Sequence, residues 1–355
     1  MKEFPLQIHT GLHGKCHLQG IAVDPVRRYF YYSFTTELIK SDFDGNVVGS
    51  VRGIVGHLGC IDFNDVDGKV YGSLEFKHDG IGQGILKSLA LDTLPEEGFY
   101  VAIFDVSKID RMNMDAETDG VMTAAFLKEA TEDYIGNANG RKHRFGCSGI
   151  DGLAVGPEFG KRNGAQYLNI AYGIYGETDR TDNDYQVILQ YEIDAVVRSA
   201  RPLRQANMHR SGPEVYRGKY FVYTGNTTYG VQNLEYDSAT GDWYMAVYCG
   251  KKETFPNFPM FVIDGTIPPS EQLLIGFSDE SHGHVLSLKK AGAFHPESGV
   301  YGWQFPLGST GIASLGDGRF YISEPGTEDG QCFGVLRLYR WTGIAGHPFV
   351  LETKD

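Results

Sequence analysis

Residues 59–79 read GCIDFNDVDGKVYGSLEFKHD. Ile61 and Phe63 alternate with polar neighbours, an Asp-Val-Asp-Gly turn follows, and a second alternating run begins at Lys69. That is the pattern of a β-hairpin, with Asp-Gly supplying the positive φ its turn requires. Just past the far end stand an acid and a base, Glu75 and His78.

Four other segments share this layout: QGIAVDPVRRYFYYSFT from Gln19, DGLAVGPEFGKRNGAQYLNIAYG from Asp151, QNLEYDSATGDWYMAVYCG from Gln232 and TGIASLGDGRFYISEP from Thr310. Matching Ile21, Ile61, Leu153, Leu234 and Ile312 gives spacings of 40, 92, 81 and 78 residues. The last three exceed a compact propeller repeat of about 40 to 50 residues, so further strands and loops must fill them. Candidate strands do. ELIKSDF and NVVGSV follow the first hairpin, FYVAIFDVSKI and VMTAAFL the second, and YQVILQYEI and KYFVYTG the third. FPMFVID with HVLSLKK or VYGWQF follows the fourth, and GVLRLYRW the fifth. FPLQIHT, near the start, has no hairpin of its own and would complete the last blade, removing an exposed edge.

The expected fold is therefore an all-β β-propeller of five four-stranded blades, with six as the alternative. It forms one domain over residues 1–355, with blade cores at 17–52, 57–130, 148–225, 230–305 and 308–350 and the N-terminal strand at 3–10. A two-domain sandwich would need a composition break or linker, and none is present. Helix is expected only over 107–114 and 195–200, and none after the Gly-rich GIGQG at 80–84. Insertions near 77–97, 132–147 and 176–184 are long enough to be lids or binding loops.

Composition narrows the function. A net charge of -13 disfavours phosphate backbones and anionic membranes, so neither nucleic acid nor membrane is an expected partner. No run of about 18 apolar residues offers a spanning helix. The opening MKEFPLQIHTG lacks a signal-peptide core, so the expected location is the cytoplasm, or outside the cell for a chain whose leader was removed. Cys16, Cys60, Cys147, Cys249 and Cys332 form no CxxC pair and read as reduced thiols.

In a propeller blade, residues just before the innermost strand and just after the second meet on one rim. On that ground the expected acid/base residues are Glu75, Asp151, Glu324 and Glu235, and the expected ligand-binding residues are Gln19, His57, Gln232, Thr310, Tyr175 and Glu177. His17, His57 and His78, beside Glu75, form a candidate metal cluster suited to Zn or Mn, while channel carboxylates would suit Ca. No cofactor is dictated beyond such a divalent cation. Asp62 and Glu235 hold matching places one step inside their strands, where they either meet across the channel or bond to a neighbouring blade's backbone. His9, His13 and His17, and the pair His282 and His284, lack a geometry or third ligand for metal. The DFDG and DVDG turns lack the downstream spacing of an EF-hand.

There is no G-x-S-x-G elbow and no P-loop. Cys147-Ser148, near His143 and Asp151, is a weak nucleophile candidate. Paired carboxylates with aromatic walls suit glycoside cleavage, with Tyr172, Tyr175, Trp243 or Trp303 as stacking surfaces. SGPEVYRGKYFVYTG, from Ser211, resembles over about fifteen residues the acid-bearing hairpin of five-bladed glycoside hydrolases, in which a carboxylate precedes a Tyr-rich strand. The chain lacks those enzymes' aspartate-bearing first-blade motif, so no role passes to Glu214 and the family is not assigned. The expectation is a pocket at the channel mouth that binds or cleaves a small polar ligand, a carbohydrate by preference, as a hydrolase or lyase. The alternative is a non-catalytic scaffold that binds protein through its insertions.

Overall fold

The computed structural model describes residues 3–138, 140–174, 176–225, 228–277 and 281–354. Five hairpins open five blades, and their inner strands are Gly20–Asp24, His57–Asn64, Gly152–Pro157, Val231–Asp237 and Ile312–Ser314. Each inner strand packs beside the next and the last beside the first, so the ring closes at five. The protein is a five-bladed β-propeller. Neighbouring inner strands approach closely: a Cβ at Gly20 would stand 2.8 Å from the Cα of Cys60, which is why glycine occupies that position.

The turns carry the signals that the sequence shows. Asp24 and Asn64, at the ends of their inner strands, accept hydrogen bonds from Val26 N and Arg27 N, and from Val66 N. Gly68 takes φ +69°. Asp42 likewise accepts from Asp44 N and Asn46 N, so both Asp-Gly turns serve hairpins rather than calcium.

Outer strands complete the blades. Blades one, two and three add Leu38–Asp42 with Val47–Arg52, Gly98–Phe104 with Met122–Phe126, and Tyr185–Glu192 with Gly218–Tyr223. In blade four Met260–Ile263 is third, and the outer place is held by isolated bridges from Leu288 to Ile263 and Trp303 to Met260. HVLSLKK is divided: its first residues, in His282–Leu286, run parallel to Gly218–Tyr223 and extend blade three, while Leu288 bridges to blade four, as does Trp303 of VYGWQF. In blade five, Gln7–His9 pairs antiparallel with Gln331–Ile344, Ile8 opposite Leu336. The N-terminal strand thus closes the last blade.

Apolar faces of successive blades enclose five separate cores, one in each interface around the ring. Tyr172, Trp243 and Trp303 are fully buried there, so they are packing residues and not stacking surfaces for a ligand. Helices occur at Gly80–Leu89 (α1), Lys128–Ile135 (α2) and Ile193–Ser199 (α3). α3 answers the expectation at 195–200. No helix forms over 107–114, and α1 arises where none was expected, capped by the Asp79 side chain, which accepts from Ile81 N and Gly82 N at 3.0 Å each. Among the described residues no helix is long and apolar enough to cross a membrane.

Candidate functional site at one mouth of the channel

Blade two supplies the centre of the site through its register. His57 opens the inner strand and pairs directly with Glu75 on the second strand. Strand alternation then puts Lys77 on the same face as Glu75 and turns His78 away. From blade three, Asp151 stands immediately before its inner strand. His57 Nδ1 lies 3.5 Å from Glu75 Oε1 and 3.3 Å from Asp151 Oδ1. Lys77 Nζ pairs with Glu75 Oε1 at 2.6 Å and Asp79 Oδ2 at 3.5 Å, and donates to Ser148 O at 3.1 Å.

Further bonds fix these side chains. Ile150 N donates to Glu75 Oε2 at 3.0 Å, and Gln232 Nε2 of blade four donates to Asp151 Oδ2 at 3.1 Å. Gln19 Nε2 donates to Thr35 Oγ1 at 3.1 Å and lies 3.1 Å from His17 Nε2. Thr35 itself is held at φ +46°, an uncommon conformation for a β-branched residue.

His57, Glu75 and Lys77 are buried, whereas Asp151 is half-buried. Burial raises the Glu75 carboxyl above its ordinary value, with Lys77 opposing and Asp151 adding to the rise. Burial alone would lower Lys77, but Glu75, Asp151 and Asp79 outweigh it and hold the ammonium above its usual range.

Asp151 and His57 line a cavity of about 500 Å³. Its walls come from Gln19, Gln232 and Thr35 on the propeller rim, from His17, Tyr229 and Tyr248, and from Ile81, Ile85 and Ser88 of α1. The rings of Tyr229 and Tyr248 meet edge-on with centroids 4.9 Å apart.

The expected residues divide accordingly. His17, Gln19, His57, Glu75, Asp151 and Gln232 gather at this mouth. Glu324 does not join them, because its strand runs on to Glu328 and its carboxylate pairs with Arg337 Nε at 3.1 Å and Tyr339 Oη at 3.1 Å. Thr310 bonds to Ser323 Oγ at 2.8 Å and does not line the cavity. Glu177 pairs with Arg141 at 3.6 Å and lines a separate depression beside Asp79 and His143. His78 bonds to Pro95 O at 2.7 Å, so its ring leaves the His17 and His57 cluster expected for metal. Tyr175 lies outside the described residues. Cys147 is fully buried, with burial raising its thiol well above the ordinary value, which removes it as a nucleophile. Lys77, Tyr229 and Tyr248 are additions. Lys77 was findable from alternation with Glu75, whereas the tyrosines lie in loops with no such signal.

Glu235 and Asp62 lie deeper in the channel and bond to neighbouring blades, Asp62 Oδ2 accepting from Val155 N at 2.7 Å and Glu235 Oε1 from Ser314 N at 2.8 Å. Burial pushes Asp62 up to about 6, and burial with the nearby Asp62 charge pushes Glu235 well above its usual value. A carboxyl raised in the folded state gives stability that is whole below its unfolded value and is lost as pH rises through the folded one. Glu235→Gln keeps the acceptor and removes the charge. Its stability in urea should match the parent at pH ~3.5, below the ordinary glutamate range, and exceed it by about 1 to 3 kcal/mol at pH ~8. Equal stability of the two proteins at pH ~8 would show that folding does not raise the Glu235 carboxyl.

No protein-family model matches this chain, and no curated protein matches it in sequence. Among solved structures, the chain is similar to the holo form of the pyranose dehydrogenase PQQ domain from Coprinopsis cinerea. The likeness has 11% identity and a TM-score of 0.39, covering 90% of this chain and 81% of that one.

Proposed function

We propose that the protein binds a small polar ligand, by chemical class a carbohydrate, in the cavity above His57 and Asp151, and cleaves it by hydrolysis or elimination. What supports this reading is one arrangement: a half-buried carboxylate and an imidazole lining a cavity together with amides, hydroxyls and a tyrosine pair. The amide nitrogens of Gln19 and Gln232 are engaged by Thr35 and Asp151, which leaves their carbonyl oxygens to accept from ligand hydroxyls.

The two carboxylates do not flank a scissile bond. Glu75 and Asp151 converge on one imidazole nitrogen with ligand atoms within 4.8 Å, whereas an acid and base acting on opposite sides of a sugar stand about 5 Å or more apart. Asp151 faces the cavity and takes the proton from water or substrate; Glu75, behind it, is a positioning residue.

Binding is measured by saturation-transfer NMR with methyl glycosides, uronates and short oligosaccharides. At least one should bind, Gln232→Leu should weaken it tenfold or more, and Asp151→Asn should abolish turnover while retaining binding. If no sugar on the panel contacts the protein, this reading fails.

A further inference from the structure

We infer that His57 Nδ1, Glu75 Oε1 and Asp151 Oδ1 form a binding site for a single divalent cation of the Mn²⁺ or Zn²⁺ type. The three atoms lie within 4.8 Å of one another, with separations of 3.5 and 3.3 Å from the nitrogen to the two oxygens. A cation held at about 2.0 to 2.4 Å from each ligand sets neighbouring ligands roughly 3 to 4 Å apart, so two measured edges already match a coordination shell.

Hydrogen bonding gives the second, independent observation. His57 Nδ1 and Asp151 Oδ1 are buried and make no hydrogen bond, while Glu75 Oε1 is engaged only by Lys77 Nζ at 2.6 Å. His57 is 7% exposed and Glu75 2%, so neither atom is open to bulk water. A buried polar atom without a partner is costly, and these two, 3.3 Å apart with Glu75 Oε1 beside them, share a single remedy. The other oxygens of the same carboxylates are bonded, Glu75 Oε2 to Ile150 N and Asp151 Oδ2 to Gln232 Nε2. These outer bonds orient ligands as they do around metal sites.

Charge agrees with geometry. Lys77 pairs with Glu75 and Asp79, and Asp151 stands beside His57, so three carboxylates face one ammonium and leave two negative charges, those a divalent cation neutralises. One imidazole with two carboxylates suits Mn²⁺ or Zn²⁺ better than an all-oxygen Ca²⁺ cage. His57 and Asp151 also line the cavity, so a cation held there would lie beside a bound ligand. The inference rests on reading this mouth as the working site, and it gives Glu75 a ligand role there.

The test uses the full chain, stripped with a chelator and titrated calorimetrically with MnCl₂, ZnCl₂ and CaCl₂ in turn. One equivalent of Mn²⁺ or Zn²⁺ should bind at least tenfold more tightly than Ca²⁺. Asp151→Asn and His57→Gln should each weaken that binding by thirtyfold or more. In Mn²⁺-loaded protein, nitrogen hyperfine coupling should be present and should vanish in His57→Gln. No stoichiometric binding by the parent chain, or binding with neither nitrogen coupling nor sensitivity to Asp151→Asn, overturns the site; a proton on Nδ1 would then join the three atoms. Cation binding without sugar binding would instead remove the carbohydrate reading and leave the cation site standing.

Discussion

Replacing Asp133 by alanine should cost about 3 to 5 kcal/mol of folding stability, although the residue does not line the cavity. Asp133 lies on α2 and is fully buried. Its Oδ1 accepts from Arg144 Nε at 2.5 Å, and its Oδ2 accepts from Tyr172 Oη and Lys219 Nζ. These partners come from the loop before blade three, its second strand and its fourth strand. One carboxylate therefore ties α2 across the blade that presents Asp151. Truncation leaves the buried Tyr172 hydroxyl without its acceptor and takes a charge partner from Lys219, whose side chain is 11% exposed and which keeps only Glu129 at 2.8 Å. Asp133→Asn should lose less, since it preserves shape and one acceptor. Urea unfolding at pH 7 measures both variants. A loss below about 1 kcal/mol for the alanine variant would mean that the ion pairs add little beyond what water supplies.

Most of the architecture was legible because a propeller repeats its most patterned element. The inner hairpins carry alternation, an Asp or Asn at the turn and a small residue before the strand, and these signals act locally. FPLQIHT was placeable in blade five because an unpaired strand and an unfilled edge each implied the other. α1 was not legible. Gly80, Gly82 and Gly84 lower helix propensity, and the helix is fixed instead by the Asp79 cap and by burial of Ile85 over the mouth. The site was legible in outline, since rim position alone brought His57, Glu75, Asp151, Gln19 and Gln232 together. Two misplacements have different origins. His78 follows Lys77 and so points to the opposite face, a parity that the sequence contains. Glu324 is diverted by its partners Arg337 and Tyr339, a register set only when Arg319–Glu328 and Gln331–Ile344 pair.

Lys77→Met should destabilise the protein by about 3 to 5 kcal/mol at pH 7, because it leaves Glu75 charged and buried beside Asp151. Lys77 is 4% exposed, and its ammonium is divided between Glu75, Asp79 and Ser148 O. Methionine fills similar volume, so the loss reports charge rather than a cavity. Glu75→Gln should cost less. Its amide oxygen still accepts from Ile150 N, and Lys77 retains Asp79 and Ser148 O. The pair is isolated by a double-mutant cycle: Glu75→Gln with Lys77→Met should lose at least about 2 kcal/mol less than the sum of the single losses. Additive losses would show that Lys77 acts on the fold through Asp79 and α1, not through Glu75. The cycle also separates electrostatics from packing at the site. Saturating Mn²⁺ or Zn²⁺ places new positive charge beside Glu75, so it should recover part of the Lys77→Met loss and none of the Asp133→Ala loss. Equal recovery of both variants would assign the effect to general stabilisation by salt, because the two carboxylates are buried in separate networks and only one lies at the cation site.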